Sequence, residues 1–156
     1  MRVIAAALAL AALSACGFQP AYAPSSVSGN GAIAIDQIDG RAGHSLRKAL
    51  IRELGPGLPG VQNARLNVQL DERLRRVALQ PDGAASRTDF QAYSSYVLDT
   101  GETAIQGDVL VETSFNVPFA PFADVSAQVD AADRAMDILA RRIVDDIRLQ
   151  LADLDS

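Results

Sequence analysis

The chain reads as an α+β two-layer sandwich: a four-stranded sheet with two helices on one face, in the order β-α-β-β-β-α. Three observations predict it. Three successive stretches alternate apolar and polar residues with period two, as half-buried strands do. Two other stretches place apolar residues at spacings of three and four, the mark of a helix with one buried side. The strand alternations also agree with one another through their turns, so that all the apolar sets fall on one face.

The first strand is expected over "AIAIDQI" (Ala32–Ile38), ended by the turn signal Asp39-Gly40. A helix follows from His44 to Leu54. Leu46, Ala49, Leu50 and Leu54 share one side of it, and Gly55-Pro56 stops it. "GPGLPG" (Gly55–Gly60) matches the dinucleotide pattern of glycines in letters only. It follows a helix, opens none, and Pro56 and Pro59 remove backbone donors that a pyrophosphate would need. It is a loop.

In the second strand Leu66, Val68, Leu70 and Leu74 are even-numbered, and "QPDGAAS" (Gln80–Ser86) closes it. The third strand carries Thr88, Phe90, Ala92, Ser94, Tyr96 and Leu98 on even positions, and "DTGE" (Asp99–Glu102) makes a tight hairpin. The fourth is apolar on odd positions: Ile105, Val109, Val111, Phe115 and Val117. Pairing Leu79 with Arg87 sets even against even; pairing Asp99 with Glu102 sets even against odd. Both choices bring the apolar sets to a common face, as a meander requires.

"NVPFAPFAD" (Asn116–Asp124) leaves the sheet with two prolines. A long helix is expected from Asp124 to Leu151. Its apolar stripe is Val125, Val129, Ala132, Met136, Leu139, Ala140, Ile143, Ile147 and Leu151. Asp130, Asp133, Arg134, Asp137, Arg141, Asp145 and Arg148 lie on its other side. So regular a stripe belongs on a surface, here the apolar face of the sheet.

The segment before the first strand has a different character. Arg2 precedes an apolar run, Val3 to Leu13, too short to span a bilayer and of the length of a signal-peptide core. The run ends in Leu13-Ser14-Ala15-Cys16, which resembles the bacterial lipobox, where the cysteine becomes the lipidated first residue of the mature chain. Cys16 is the only cysteine, so it has no internal disulfide partner. An aspartate directly after such a cysteine is an inner-membrane retention signal; Gly17 stands there instead and points to the outer membrane. Phe18 to Gly31, rich in Pro, Ser, Ala and Gly, reads as a tether. The expected organisation is a lipoprotein signal peptide over 1–15, the lipidated cysteine and tether over 16–31, and one sandwich domain over 32–156.

Loss of residues 1–15 removes a single charge, that of Arg2, and takes the formal net charge from −5 to −6. A domain so acidic lacks the basic footprint that nucleic acid requires. The lone histidine, His44, has no thiol beside it, and the carboxylates lie in turns or on polar helix sides rather than as a paired acid and base. No His, Cys or carboxylate spacing fits a metal. The chain reads as a non-enzyme without cofactor or metal.

Four stretches together resemble a known family: "CGFQPAY" (Cys16–Tyr22), "ALQPDGAASRTDF" (Ala78–Phe90), "SYVLDTGETAIQGDVLVETSFNV" (Ser95–Val117) and "AADRAMDILARRIVDDIRLQL" (Ala131–Leu151). Their order and spacing resemble the lipopolysaccharide-assembly lipoprotein family LptE, in its alphaproteobacterial form. The likeness runs over nearly the whole chain. It departs at "SFN" (Ser114–Asn116), where members often carry "SYN", and at Arg87-Thr88, where Arg-Tyr is frequent. The resemblance implies the same β-α-β-β-β-α sandwich, seated as a plug inside the large outer-membrane β-barrel LptD. The two form a translocon that inserts lipopolysaccharide into the outer leaflet, with no reaction catalysed and no cofactor. A second family of lipoproteins, the auxiliary subunits of ABC-type lipid or solvent transporters, shares the "CG…Y" opening and the small α/β form.

In the expected register Arg73, Arg75 and Arg87 project from the sheet face opposite the helices, beside Val77, Leu79, Tyr93 and Val97. Either the face is solvated, with Arg73 and Arg75 paired to Asp71, Asp89 or Asp108, or it is a contact surface. In the second case, the arginines meet lipid A phosphates, which the planar guanidinium binds bidentately, or the barrel partner.

Overall fold

The computed structural model describes residues 32–79, 85–117 and 121–154. Cys16, the signal segment and the tether lie outside them. The described chain is a two-layer α+β sandwich in the expected order. The strands are β1 (Ala32–Ile35), β2 (Asn63–Leu79), β3 (Ala85–Asp99) and β4 (Ala104–Asn116). Helix α1 (Gly40–Leu54) follows β1, and helix α2 (Pro121–Leu154) follows β4. The sheet order is β1-β2-β3-β4, with β1 parallel to β2 and the other neighbours antiparallel.

The parity of the strands is as expected, but both hairpins are shifted by two residues. Leu66 faces Leu98 and Leu74 faces Phe90; Asp99 faces Ala104 rather than Glu102. Leu79 faces Ala85, and Arg87 faces Ala78, because irregularities interrupt the ladder after Arg76 and again after Ala78. Residues 80–84 of the expected loop lie outside the description, while Ala85 and Ser86 already belong to β3. The β3–β4 turn takes four residues, Thr100 to Thr103. The Thr100 hydroxyl binds the Thr103 carbonyl at 2.9 Å, Gly101 has φ +83°, and the Gly101 amide donates to the Asp99 carboxylate at 2.8 Å.

The first strand is shorter than expected and the first helix longer. After Ile35 the Asp36 amide makes one last bond to the Leu66 carbonyl, 3.0 Å, and the chain turns away. Ile38 still enters the core, from the connection rather than the strand. Gly43 allows the helix to begin early: a Cβ there would lie 2.8 Å from the Ile38 carbonyl oxygen and Cγ2, so no larger residue fits beneath that crossing chain.

One core fills the space between sheet and helices. Leu66, Tyr96, Leu98 and Val111 meet Leu46 and Leu50 of α1 and Met136, Leu139, Ile143 and Ile147 of α2. Helix α2 runs three residues beyond the expected range at each end, and Pro121 opens it, where a missing N–H costs nothing. Its buried stripe holds Ala131, Ala135 and Val144 beside the expected Met136, Leu139, Ala140, Ile143 and Ile147. Val125, expected within the stripe, is 60% exposed. Asp130, Asp133, Arg134, Asp137, Arg141, Asp145 and Arg148 are all exposed, as expected. Arg52 joins Asp137 at 2.8 Å and Ser45 joins Asp133 at 2.9 Å, tying the helices together at the surface.

The two layers differ in reach. Strand β2 has 17 residues and helix α1 has 15. At about 3.3 Å and 1.5 Å per residue they extend about 56 Å and 22 Å, so α1 covers less than half of the strand. The burial of β2 follows this limit. Ala64, Leu66 and Val68 are buried and Leu70 is half-buried. Leu74, on the same face and expected in the core, is 50% exposed. Toward that far half only the first turns of α1 and α2 stand above the sheet.

Candidate functional site: the faces and edges of the sheet

Arg73, Arg75 and Arg87 all lie on the far half of the outer face, the side opposite the helices. Odd positions of β2 and β3 point there, and the direct partner of Arg75 is Asp89. The structure pairs two of the three with acid groups. Arg73 donates to the Asp71 carboxylate at 2.7 Å, and Arg75 lies 3.7 Å from that of Asp89. Among the described residues no ion pair engages Arg87 or Arg76 within 4.0 Å. The arginine heads of Arg73 and Arg75 are well exposed, so these pairs contribute little to stability.

Asp89 is the exception on this face, only 5% exposed. It accepts a bond from the Ser114 hydroxyl at 2.7 Å across the β3–β4 ladder. That bond first, then those with Glu112 and the charges of Arg75 and Arg87, hold its carboxyl below the ordinary range, against burial, which raises it. Gln91 donates to Glu112 at 2.7 Å, and the Tyr93 hydroxyl donates to Asp108 at 2.8 Å, which pushes the tyrosine pKa up. The outer face is therefore graded: arginines over β2 and the start of β3, carboxylates Asp108 and Glu112 over β4.

Between them lies an apolar strip. Tyr93 is 46% exposed and Val97 41%, both as expected on this side. Leu110, 53% exposed, joins them and was not singled out from the sequence, although the unbroken run Val109-Leu110-Val111 signals a strand apolar on both faces. Val77 and Leu79 are exposed, but the irregular ladder around them ends the strict alternation by which they were assigned to this face.

On the inner side the far half holds an open cleft of about 240 Å³, lined among others by Arg41, Glu72, Phe90, Val125 and Val129. Burial there, and next the charge of Asp71, raises the Glu72 pKa. The near half is sealed differently. The Tyr96 hydroxyl donates to Asp146 at 2.5 Å and accepts from Gln150 at 3.1 Å, joining β3 to α2. Burial and this carboxylate push the Tyr96 pKa far up. Gly107, opposite Tyr96, leaves room for the ring: a Cβ there would lie 2.7 Å from the Tyr96 and Asp146 oxygens. Ser94 is wholly buried in the core, and among the described residues its hydroxyl has no hydrogen-bond partner.

The two sheet edges differ as well. Along β4, α2 side chains reach down to the backbone: Arg142 donates to the Leu110 carbonyl at 2.9 Å and Gln150 to the Gln106 carbonyl at 3.2 Å. Along β2, β1 pairs only from Asn63 to Leu66. Beyond that point no described strand pairs with the β2 edge.

His44 is exposed on α1. Among the described residues no group of three or more His, Cys, Asp or Glu side chains is placed to hold a metal, and no helix is long and apolar enough to cross a membrane.

No family model matches this sequence, and no curated protein matches it. Solved structures do. A lipoprotein from Caulobacter crescentus CB15 is 25% identical, with a TM-score of 0.59 over 77% of this chain and 90% of that one. The rare lipoprotein B of Shewanella oneidensis is 11% identical, with a TM-score of 0.61 over 80% and 98%. A minor lipoprotein from Acinetobacter baumannii is 13% identical, with a TM-score of 0.55 over 76% and 92%. The sandwich is thus the fold of several small bacterial lipoproteins, spanning nearly their full lengths.

Proposed function

We propose that this chain is an outer-membrane lipoprotein, anchored through Cys16, that serves as the plug component of the lipopolysaccharide translocon. Its partners on this reading are the β-barrel LptD and lipopolysaccharide itself. It binds and positions, and catalyses nothing. The observation that carries the reading is the two-layer sandwich it has in common with rare lipoprotein B, which is LptE. The lipobox ending in Cys16 and the four sequence stretches quoted above support it independently.

Arg73, Arg75 and Arg87 are the proposed contacts to lipopolysaccharide or the barrel. Asp71 and Asp89 do not cancel this role. They orient two guanidinium groups on the face while leaving most of each head in water, and a doubly charged phosphate competes well for a planar donor fork. Val97, Tyr93 and Leu110 supply apolar contact beside them.

Depletion of the protein tests the reading directly. Surface lipopolysaccharide should fall and the barrel partner should fail to mature; unchanged levels of both would overturn it. Mass spectrometry of the mature N-terminal peptide tests the anchor: acylated Cys16 is expected, and a free thiol there refutes the anchoring. Arg75→Glu with Arg87→Glu tests the face. Weaker lipopolysaccharide binding or barrel co-purification from a folded double variant is expected, and undiminished binding of both at low salt, where phosphate attraction is least screened, removes the arginines from the contact.

A further inference from the structure

The open edge of β2 has a defined chemistry. The Leu66 carbonyl points away from β3, since it accepts from the Asp36 amide on the β1 side. Backbone groups of alternate residues in a strand point the same way. Val68, Leu70, Glu72, Leu74 and Arg76 therefore turn their N–H and C=O groups outward, and the β2–β3 ladder is regular through Arg76. Among the described residues nothing is bonded to these outward groups past Leu66. The opposite edge, by contrast, is closed by Arg142 and Gln150. The two edges belong to one sheet and one solvent, yet only one is guarded.

From Leu70 to Arg76 the even residues beside this edge, Leu70, Glu72, Leu74 and Arg76, take the inner side and the odd ones, Asp71, Arg73 and Arg75, the outer side. Leu70 and Leu74 face the inner side, next to the cleft lined by Phe90, Val125 and Val129. Arg73 and Arg75 face the outer side, with Asp71. We infer that this edge receives an extended strand from a partner protein, with apolar residues alternating with acidic ones. Main-chain bonds to Leu70, Glu72, Leu74 and Arg76 would hold it, as in other cases of strand addition. Its apolar side chains would cover Leu74 and the cleft, and its carboxylates would face Arg73 and Arg75.

The same arginines argue against a second copy. A two-fold antiparallel pairing centred on this stretch sets Arg73 against Arg73, and like charges directly opposite are unfavourable. Charged edges prevent indiscriminate strand pairing, while an acidic strand turns that protection into attraction. The inference goes beyond the translocon reading and is tested without lipopolysaccharide or barrel.

The probe is an acetylated heptapeptide alternating valine with glutamate, and its control alternates valine with lysine. The acidic peptide should slow amide hydrogen exchange at Leu70, Glu72, Leu74 and Arg76, leaving the intervening odd residues unchanged. Leu74→Pro removes one outward donor and no ladder bond, and should weaken binding about tenfold, the loss of a single good contact. Should that variant fold poorly, Arg73→Glu with Arg75→Glu takes its place and should transfer preference to the lysine peptide. No protection by the acidic peptide, protection of odd and even residues alike, or unaltered preference in the charge-reversed variant each overturn the inference. So does protection of the even amides that grows with protein concentration alone, which would make the occupant a second copy.

Discussion

The near and far halves of the sandwich share strands β2, β3 and β4 and helix α2, but they are not equally built. In the near half two helices close over the sheet. Leu66 and Leu98 are fully buried, and the Tyr96–Asp146–Gln150 cluster bonds sheet to helix. In the far half α1 reaches only with its first turn, Leu74 and Val125 are half or more exposed, and no described strand pairs with the edge of β2. The same alternating sequence runs through both. A period-two pattern thus states which face a residue takes, and says nothing of whether another layer lies above it. Stability is concentrated in the near half, and surface available for contact in the far half.

Four perturbations measure this difference. The largest effect is expected from Ala140→Asp. Ala140 is fully buried on the core-facing side of α2, and an unpaired carboxylate there should cost several kcal/mol, roughly 3–5 by the standard of buried charges. The matching Val125→Asp in the far half should stay within about 0.5 kcal/mol. Similar urea midpoints for the two would abolish the distinction.

Next come two leucines of one strand and one face. Leu66→Ala should cost about 2–5 kcal/mol, as core truncations do, while Leu74→Ala should cost well under about 1. Chemical denaturation of the pair is the most direct comparison of covered with uncovered sheet. Gly107→Ala then probes how tightly the near half is fitted. Its Cβ would press on the Tyr96 and Asp146 oxygens, with an expected loss of about 1–3 kcal/mol from overpacking. A neutral result in thermal melts would mean that α2 yields there easily.

The smallest effect is a pH dependence in the far half. The Asp89 carboxyl titrates below its ordinary value of 3.8 when folded. Its contribution to stability is therefore complete above that value and is lost as pH falls through the lowered folded pKa. Asp89→Asn should remove this part of the acid sensitivity, and so should Ser114→Ala in large measure. Acid titration followed by circular dichroism would detect it; an unchanged profile in Asp89→Asn would mean that Ser114 and the arginines do not stabilise the anion.

Much of this fold was legible before any coordinates. Element order, strand parity and the polar side of α2 follow from periodicity, because each rests on local residue spacing. The register did not. Parity distinguishes even from odd, and the two-residue shifts at both hairpins preserve it, so only the four-residue Thr100–Thr103 turn and the irregularities near Ala78 determine the true pairing. The start of α1 was hidden because Asp39-Gly40 reads as a turn, whereas the helix opens at Gly40 and Gly43 passes beneath Ile38. The outer face was half legible. Its arginines and their candidate acids Asp71, Asp89 and Asp108 were evident, but which acid meets which arginine depends on register: Asp89 lies opposite Arg75, 14 positions away in sequence, and Asp71 meets Arg73. The uneven reach of the helices was accessible from lengths alone, since 15 helical residues cannot span 17 extended ones.

Helix α2 follows all four strands in the chain, and this order sets a schedule for folding. The β2–β3–β4 meander is built of local hairpins and can form early. Until α2 docks, however, Tyr96, Leu98 and Val111 face solvent. Tyr96 also lacks its carboxylate, and the β4 edge lacks Arg142 and Gln150. For that interval the sheet is an adhesive intermediate with both edges unguarded, the kind of species that aggregates. Docking of one helix ends the exposure of the face and closes one edge in the same step. A chain shortened before Ala131 should therefore be recovered in aggregates rather than as a smaller soluble sandwich.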